Sequence, residues 1–189
     1  LNEIFKKQVE SLTHFFDLPH VERVKLAEKL CKKSKISGKT KVMFGVTGSD
    51  AIELAVRAAR YYTGQPYILT AYGDYHGVTY GTMGLTSKGN MPPYFYPVRP
   101  NADIGYIPCP HPDRSPNVPF PGFDMSSLKL FEKMLDGKET PYTDGVYGTC
   151  NVAAILVEPF QSSAGYYIPP REYLKELRRI ADKFGMLLI

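Results

Sequence analysis

The sequence has little of what marks several large protein classes. It has three cysteines in 189 residues and no tryptophan, and the wide spacing of the cysteines favours a reducing cytoplasm over a disulfide scaffold. No apolar run approaches the ~20 residues of a membrane span, and the first residues show no apolar signal segment. The net charge of +4 is too weak to indicate nucleic acid. We therefore expect a cytoplasmic protein without nucleic-acid or membrane partners.

The histidines do not suggest a metal site. There are four of them, and only His14 and His20 are near neighbours, at a spacing that does not place both on one face of a helix. Hydrophobic residues make up 43% and charged residues 22% of the chain, as in ordinary globular domains. We expect a folded protein with no bound metal.

Apolar periodicity predicts helices and strands in alternation, after two helices at the start of the chain. Because a parallel sheet needs helical crossovers, this alternation predicts an α/β fold with helices covering a mostly parallel sheet. Residues 42–71 read as one strand–helix–strand unit. The predicted helices are 2–15, a second one from Pro19 to about Leu30, 51–62, 127–136 and 170–184, and the predicted strands are 42–46, 67–71, 152–157 and 186–189.

Residues 92–121 contain ten of the sixteen prolines. Proline lacks a backbone N–H and has a fixed φ, so we expect no regular structure in this segment. Its aromatic residues argue against a disordered linker, since they offer surface to bury. We interpret the segment as a long ordered excursion over a surface, with a subunit interface as one candidate. Residues 72–90 read as a loop with a short helix.

The turn Thr47-Gly48-Ser49 joins a predicted strand to a predicted helix. Backbone N–H groups at a helix start are unpaired and carry partial positive charge, which makes such a turn an anion site. Gly48 permits close approach of a ligand, and Ser49 adds a hydroxyl donor. The alternative is an ordinary glycine turn with a helix cap, formed either by Ser49 or by a capping box of Asp50 and Glu53.

Polar residues also follow two other predicted strands, at Tyr72-Gly73-Asp74-Tyr75-His76-Gly77 and at Glu158-Pro159-Phe160-Gln161. The alternatives are a packed loop histidine and tyrosine, and a salt-bridged glutamate at the sheet edge. Parallel sheets place ligand crevices beyond the carboxyl ends of their strands. All three features lie there, so we expect them to converge on one crevice for an anionic, planar ligand.

Several motifs, in order along the whole chain, resemble those of the class III pyridoxal-phosphate-dependent aminotransferases. The segment that starts at Thr47-Gly48-Ser49 resembles the family's phosphate-binding segment, and Tyr75-His76-Gly77 resembles its Tyr-His-Gly motif. Residues 58–64 are similar to the end of the helix that follows the phosphate-binding turn. Residues 155–161 and 184–189 are similar to the Glu-Pro segment and to the strand after the next helix.

The resemblance implies a three-layer αβα large domain of fold type I, like that of aspartate aminotransferase, with pyridoxal 5'-phosphate as cofactor. It implies a helical N-terminal part, 1–41, a cofactor-binding domain, 42–189, and a homodimer formed through the large domain. By carry-over, the amides of Gly48 and Ser49 and the Ser49 hydroxyl hold the cofactor phosphate. Tyr75 stacks on the pyridine ring, His76 shapes its loop, and Glu158 lies near the ring.

The family's remaining catalytic groups are expected outside this sequence. In the family, an aspartate that pairs with the ring nitrogen comes directly after the last apolar strand, and the Schiff-base lysine lies further downstream. We therefore expect a fragment that ends before both groups, has no catalytic residue of its own, lacks the small C-terminal domain and is inactive alone.

The implied reaction transfers an amino group from an amine or amino acid to a 2-oxo acid, with donors like 4-aminobutyrate, ornithine or acetylornithine. Ser163 stands where many members carry a glutamate that pairs with a specificity arginine, and this difference puts a dicarboxylate switch in doubt. A decarboxylase, racemase or aminomutase of the same family is the alternative. A non-catalytic phosphate-binding module is a further one.

Overall fold

The structure is a computed structural model that describes residues 1–11, 14, 18–36, 38–87, 103–110, 125–137, 140, 142–143 and 150–189. The described residues form two compact units, Leu1–Phe44 and Gly45–Ile189. Among the residues that the structure describes, no helix has both the length and the apolar character that crossing a bilayer would require.

The first unit contains two helices, α1 (Asn2–Val9) and α2 (Val21–Lys33). The predicted helix 2–15 is therefore shorter than expected, although residues 12–13 and 15–17 lie outside the described residues. Helix α2 has Glu22 in its first turn and lysines in its last turn. This arrangement of charge is favourable because it opposes the helix macrodipole.

The prediction of a buried strand at 42–46 is wrong. Residues 41–45 have no regular structure, and the side chains of Met43 and Val46 are 70% and 95% exposed. Phe44 instead lies under Arg23, whose guanidinium carbon is 5.5 Å from the ring centroid. A short apolar run does not by itself specify a strand, because a strand also needs a hydrogen-bonding partner. The strand–helix–strand unit predicted over 42–71 therefore lacks its first strand.

The second unit is built on a parallel sheet of β1 (Tyr67–Ala71), β2 (Ile104–Ile107), β3 (Val152–Leu156) and β4 (Leu187–Leu188). The strand order is β2-β1-β3-β4, and every neighbouring pair is parallel. All five residues of β3 are buried, as expected for the interior of a sheet covered on both faces. The predicted strands at 67–71, 152–157 and 186–189 are thus present, the last two in shortened form.

Strand β2 lies inside the proline-rich segment, where no regular structure was expected. Its four residues contain no proline, so each keeps the N–H that a ladder needs, and Pro108 and Pro110 come only after it. It occupies an edge of the sheet, the position where nearby prolines are tolerated. Within 92–121 the structure describes only 103–110. The prediction for 92–102 and 111–121 lies outside the described residues.

Helices cover both faces of the sheet. One buried cluster joins Leu69 and Ile155 of the sheet to Phe131 of α5 (Ser127–Asp136) and Leu177 of α6 (Arg171–Phe184). A second cluster joins Ile68 and other strand residues to Val56 and Ala59 of α3 (Gly48–Thr63). Successive strand side chains point to opposite faces, so Ile68 and Leu69 serve different layers. The expected three-layer αβα arrangement is confirmed.

The long helices end where the sequence predicts. Gly64 follows α3 with φ 70°, and Gly185 follows α6 with φ 70°, a left-handed conformation that glycine adopts without a steric penalty. One short helix, α4 (Tyr80–Met83), lies in the loop after β1, as expected for residues 72–90.

Burial raises the pKa of the Tyr173 phenol well above its usual range, and its hydroxyl donates to the Pro108 carbonyl oxygen at 3.1 Å.

Candidate functional site

The candidate site lies at the carboxyl ends of β1 and β3, two adjacent central strands. The chain leaves β1 toward α4, which contacts α3, whereas after β3 it runs on into α6. Helices α3 and α6 cover opposite faces of the sheet. The connections therefore diverge here, and such switch points are where open α/β sheets form their ligand crevices.

Thr47 caps the helix that begins the site. Its Oγ1 accepts a hydrogen bond from the Asp50 N–H at 3.1 Å, and the Asp50 carboxylate accepts one from the Val46 N–H at 2.9 Å. The capping alternatives considered from the sequence, Ser49 and an Asp50–Glu53 box, are therefore wrong. The cap satisfies Asp50, so the amides of Gly48 and Ser49 in the first turn have no intrahelical acceptor.

The space in front of Gly48 is open. Gly48 is exposed, and a Cβ built on it would meet no atom within 4 Å. Its φ is not positive, so the fold does not require glycine here for a special backbone conformation. A bare backbone facing open space at a helix N-terminus is what close approach of an anion needs.

Gly77 brings the loop after β1 against the start of α3. Its φ is +118°, and a Cβ at this position would lie 2.1 Å from Ser49 Oγ and 2.7 Å from Thr82 Oγ1. Ser49 Oγ also accepts from the Val78 N–H at 3.4 Å. A side chain cannot fit at position 77 without displacing Ser49, so glycine is required for these two segments to meet.

Tyr75 and His76 point to different environments. Tyr75 is 37% exposed and His76 is 5% exposed. The His76 N–H donates to Thr86 Oγ1 at 3.0 Å, and His76 Nε2 is within hydrogen-bonding distance of Thr70 Oγ1 at 2.9 Å. His76 is therefore held beneath the loop, whereas Tyr75 is partly exposed to solvent.

Glu158 joins the turn after β3 to the loop after β1. Its Oε2 accepts from the Tyr75 N–H at 2.9 Å, and its own N–H donates to Asp74 Oδ2 at 3.1 Å. Gln161 Nε2 donates to Asp74 Oδ1 at 2.8 Å and to the Tyr72 carbonyl oxygen at 2.9 Å. The structure thus brings the expected residues of these segments together, and Ser49 connects the third segment through Gly77 and Val78.

Sequence reasoning missed the residues that hold this site in place. Asp74 and Gln161 are both 0% exposed, although neither was assigned a role from the sequence. Ser87 also stabilises the loop after β1, because its hydroxyl accepts from the Gly73 N–H at 2.7 Å and donates to the Ala71 carbonyl oxygen at 2.9 Å. The available signal was the position of Asp74, a charged residue directly after an apolar strand, which must find partners if it is buried.

The donor set fits a planar ligand that carries a phosphate. Two amides without an intrahelical acceptor and a hydroxyl at a helix N-terminus suit a phosphate dianion, and the partly exposed Tyr75 suits an aromatic face. The nearby carboxylate of Glu158 is oriented by the Tyr75 N–H. In the described part of the chain, no cluster of His, Cys, Asp or Glu side chains could hold a metal ion.

Comparisons with known proteins agree on one family. The family model described as class-III aminotransferase matches residues 1–189. The alanine/serine racemase of Pyrococcus horikoshii is 35% identical over 188 residues, which are 97% of this chain and 38% of the racemase. The acetylornithine aminotransferase of Methanopyrus kandleri is 30% identical over 187 residues, 99% of this chain and 40% of that protein.

A solved structure shares the fold. The omega transaminase from Pseudomonas jessenii in complex with PMP aligns with a TM-score of 0.74 at 23% identity, covering 99% of this chain and 41% of that one. The chain therefore spans about 40% of the length of the relatives it matches.

Proposed function

This chain belongs to the class III aminotransferase family, and we propose that the protein that carries it is a pyridoxal-phosphate-dependent transaminase. The reaction moves an amino group from an amine or amino acid to a 2-oxo acid. The observation that carries the proposal is the contact between the start of α3, 47–49, and the two segments that follow β1 and β3, 72–77 and 158–161. They bring a helix N-terminus, an aromatic residue and a carboxylate close to one another.

The cofactor phosphate is held at the start of α3. The Gly48 and Ser49 amides and the Ser49 hydroxyl donate to its oxygens, and the open space at Gly48 supports this assignment. The partial positive charge of the helix N-terminus favours the phosphate dianion. Gly77 keeps Ser49 in place because its missing side chain leaves room for the Ser49 hydroxyl.

The aromatic ring of Tyr75 stacks on the pyridine ring and shields one of its faces from water. Glu158, oriented by the Tyr75 N–H, lies near the ring, and His76 supports the loop from below. When bound, pyridoxal phosphate supplies an electron-withdrawing ring that stabilises negative charge on the substrate carbon. None of the lysines in this chain is assigned as the Schiff-base lysine, which we place, with the ring-nitrogen aspartate, beyond residue 189.

The amino donor is of the 4-aminobutyrate, ornithine or acetylornithine type. The relative named acetylornithine aminotransferase supports this class of donor.

We propose that the protein is cytoplasmic and forms a homodimer through the large domain, 42–189, with 1–41 as a helical N-terminal part. Analytical ultracentrifugation of the full-length protein tests the dimer, and a sedimentation coefficient of a monomer at micromolar concentration contradicts it.

Amino-acid racemisation is the second candidate function. The relative at 35% identity is named an alanine/serine racemase, and Ser163 replaces the family glutamate that pairs with a specificity arginine. A racemase returns the proton to the same carbon from either side and needs no 2-oxo acid. The two functions therefore differ in their requirement for an acceptor.

The test uses the full-length protein with added pyridoxal phosphate. A visible absorbance band that persists after gel filtration shows binding, and amine donors are then assayed with and without a 2-oxo acid. Amino transfer that depends on the acceptor supports the transaminase. Interconversion of alanine enantiomers without an acceptor, followed by chiral chromatography, establishes the racemase instead. No bound band means that the protein is a module without cofactor chemistry.

One pair of variants checks the stacking role. Tyr75→Ala removes the ring proposed to cover the cofactor, and base–aromatic or ring–ring stacking of this kind contributes about 0.5–1.5 kcal/mol. We therefore expect roughly a 2- to 10-fold weaker affinity for pyridoxal phosphate. Tyr61→Ala is the control, because Tyr61 is 94% exposed on α3 and has no role in the proposed site. Equal affinities of the two variants contradict the assignment of Tyr75.

A further inference from the structure

A buried carboxylate at the candidate site has no role in the proposed cofactor contacts. Asp74 is 0% exposed and lies between Gly73 and Tyr75 in the loop after β1. Burying a carboxylate is unfavourable unless its oxygens find donors. The partners of Asp74 therefore indicate what the residue does.

Both oxygens of Asp74 reach the turn after β3. Oδ1 accepts from Gln161 Nε2 at 2.8 Å, and Oδ2 accepts from the Glu158 N–H at 3.1 Å. Oδ2 also lies 3.5 Å from His76 Nε2. One side chain thus connects two loops that are more than eighty residues apart in the sequence.

In each of the two loops, a side-chain carboxylate accepts a hydrogen bond from a backbone N–H of the other loop. Asp74 accepts from the backbone N–H of Glu158, while the Glu158 side chain accepts from the backbone N–H of Tyr75. The exchange resembles a capping box, in which two side chains satisfy each other's backbone donors. Because Asp74 and Tyr75 are adjacent, the pair fixes both the backbone that carries the Tyr75 ring and the backbone that carries the Glu158 carboxylate.

Stability alone is a weak reason for such a group. Well-packed apolar side chains often stabilise a fold as well as a buried charge does, whereas directional hydrogen bonds between polar groups favour one arrangement. The Asp74 network specifies the arrangement of the two proposed cofactor neighbours, Tyr75 and Glu158.

We propose that Asp74 is a positioning residue that sets the Tyr75 ring and the Glu158 carboxylate relative to each other, and hence the orientation of the bound cofactor ring. This inference rests on the proposed function of the site. Asp74 itself touches neither the cofactor nor the substrate. Its removal is expected to alter how the cofactor is held more than how tightly its phosphate binds.

Asp74→Asn cuts the network with the smallest change in shape. If the asparagine oxygen faces the Glu158 N–H, its NH2 group faces Gln161 Nε2, which is also a donor, and the opposite orientation loses the Glu158 bond. In either orientation the asparagine loses one of the two hydrogen bonds that Asp74 makes to Glu158 and Gln161. Ser87→Ala is the matched control, because it loosens the same loop at Gly73 and Ala71 without touching the Asp74–Glu158 link.

The experiment compares five properties of the full-length proteins, all but the first at saturating pyridoxal phosphate. They are the affinity for the cofactor, the visible circular dichroism induced per bound cofactor, the thermal midpoint, and kcat and KM for the amino donor. For Asp74→Asn we expect altered induced circular dichroism, an affinity and a KM within about threefold of wild type, and a kcat lower by roughly 10- to 100-fold, the loss typical of a small misplacement of reacting groups. Ser87→Ala is expected to lower the thermal midpoint and to change the dichroism and kcat clearly less than Asp74→Asn does, because the Asp74–Glu158 link stays intact.

The outcomes separate the two proposals. If the wild-type protein binds no pyridoxal phosphate, the proposed function is wrong and the positioning role is wrong with it. If the wild type binds and Asp74→Asn keeps the wild-type dichroism and kcat, the positioning role alone is wrong, even where stability falls. If Asp74→Asn does not fold, Asp74→Ser is measured in the same way, since its hydroxyl can accept one of the two bonds.

Discussion

Replacing Gly77 by alanine perturbs the contact between the loop after β1 and the first turn of α3. The added Cβ would lie 2.1 Å from Ser49 Oγ and 2.9 Å from Ser49 Cβ, at a backbone φ of +118°. Ser49 must therefore move away from the loop. The movement breaks its hydrogen bond with the Val78 N–H and takes its hydroxyl from the proposed phosphate site.

The expected size follows from two contributions. A non-glycine residue in this backbone region costs about 1–3 kcal/mol, and overpacking a closely fitted contact costs about 1–3 kcal/mol. The free energy of unfolding is therefore expected to fall by about 2–6 kcal/mol. If Ser49 also loses its hydrogen bond to the phosphate, worth about 1.5–3 kcal/mol for a charged acceptor, the affinity for pyridoxal phosphate falls roughly 10- to 150-fold.

The assay compares this variant with Gly64→Ala. Gly64 also has a positive φ, +70°, but a Cβ there meets no atom within 4 Å, and it lies at the far end of α3. Gly64→Ala thus carries a backbone penalty of about 1–2 kcal/mol without a clash. Chemical denaturation gives the stabilities of both full-length variants, and a titration of cofactor absorbance gives their affinities.

Equal stabilities and equal cofactor affinities for the two alanine variants would falsify this account of Gly77. A loss of stability in Gly77→Ala with unchanged affinity would keep the packing explanation and refute the role of Ser49 at the phosphate. A loss of stability that is partly rescued in the double variant Gly77→Ala/Ser49→Gly, which removes the clashing side chain, would support the steric mechanism directly, while the affinity of that variant stays low because the Ser49 hydroxyl is absent.

Three further predictions concern the start of α3 and the contact between α5 and α6. Gly48→Ala is expected to leave the stability unchanged or up to about 1 kcal/mol higher, because the added Cβ faces open space. A cofactor titration is expected to show at least roughly tenfold weaker binding, because the methyl group blocks the approach of the phosphate. A wild-type affinity of this variant would contradict the proposed phosphate site. Thr47→Ala removes the cap bond to Asp50 and is expected to cost about 1 kcal/mol, with Thr47→Ser as the control that keeps the hydroxyl; the thermal midpoint measures both. Hydrogen bonds from Arg179 and Lys183 lower the pKa of Glu132 from 4.5 to about 2, so its ion pairs stabilise the fold above pH 4.5 and this contribution is lost as the pH falls toward 2. The stability difference between wild type and Glu132→Gln is accordingly expected to shrink over that range in urea titrations, and a difference independent of pH would refute it.

Local patterns were enough to predict most of the second unit. Strand β3 is a continuous apolar run, and α6 has apolar residues at helical spacing, so both can be recognised from the residues of the segment itself. The predicted bounds of both elements agree with the structure to within a residue or two. The same kind of apolar run at 42–46 gave a wrong strand, because a ladder partner cannot be read from the segment itself. Strand β2 was missed because its four residues were judged with the prolines around them.

The site divides in the same way. Gly48, Ser49, Tyr75, His76 and Glu158 could be named from the sequence, since each stands directly after a predicted strand or in a motif that resembles the family. Their assignment as cofactor ligands stays a prediction. Asp74 and Gln161 could not be assigned, because their partners come from another strand-end loop and no spacing along the chain brings them together.

The sequence by itself determined the class of fold, the family and the polar residues that follow β1 and β3. These follow from composition, periodicity and short motifs, which are local properties of the chain. Only the tertiary structure decided which cap begins α3, why Gly77 must be glycine and how Asp74 connects Tyr75 to Glu158. Those facts depend on the strand order and on distances between segments far apart in the chain, which side-chain packing and hydrogen bonding set in three dimensions.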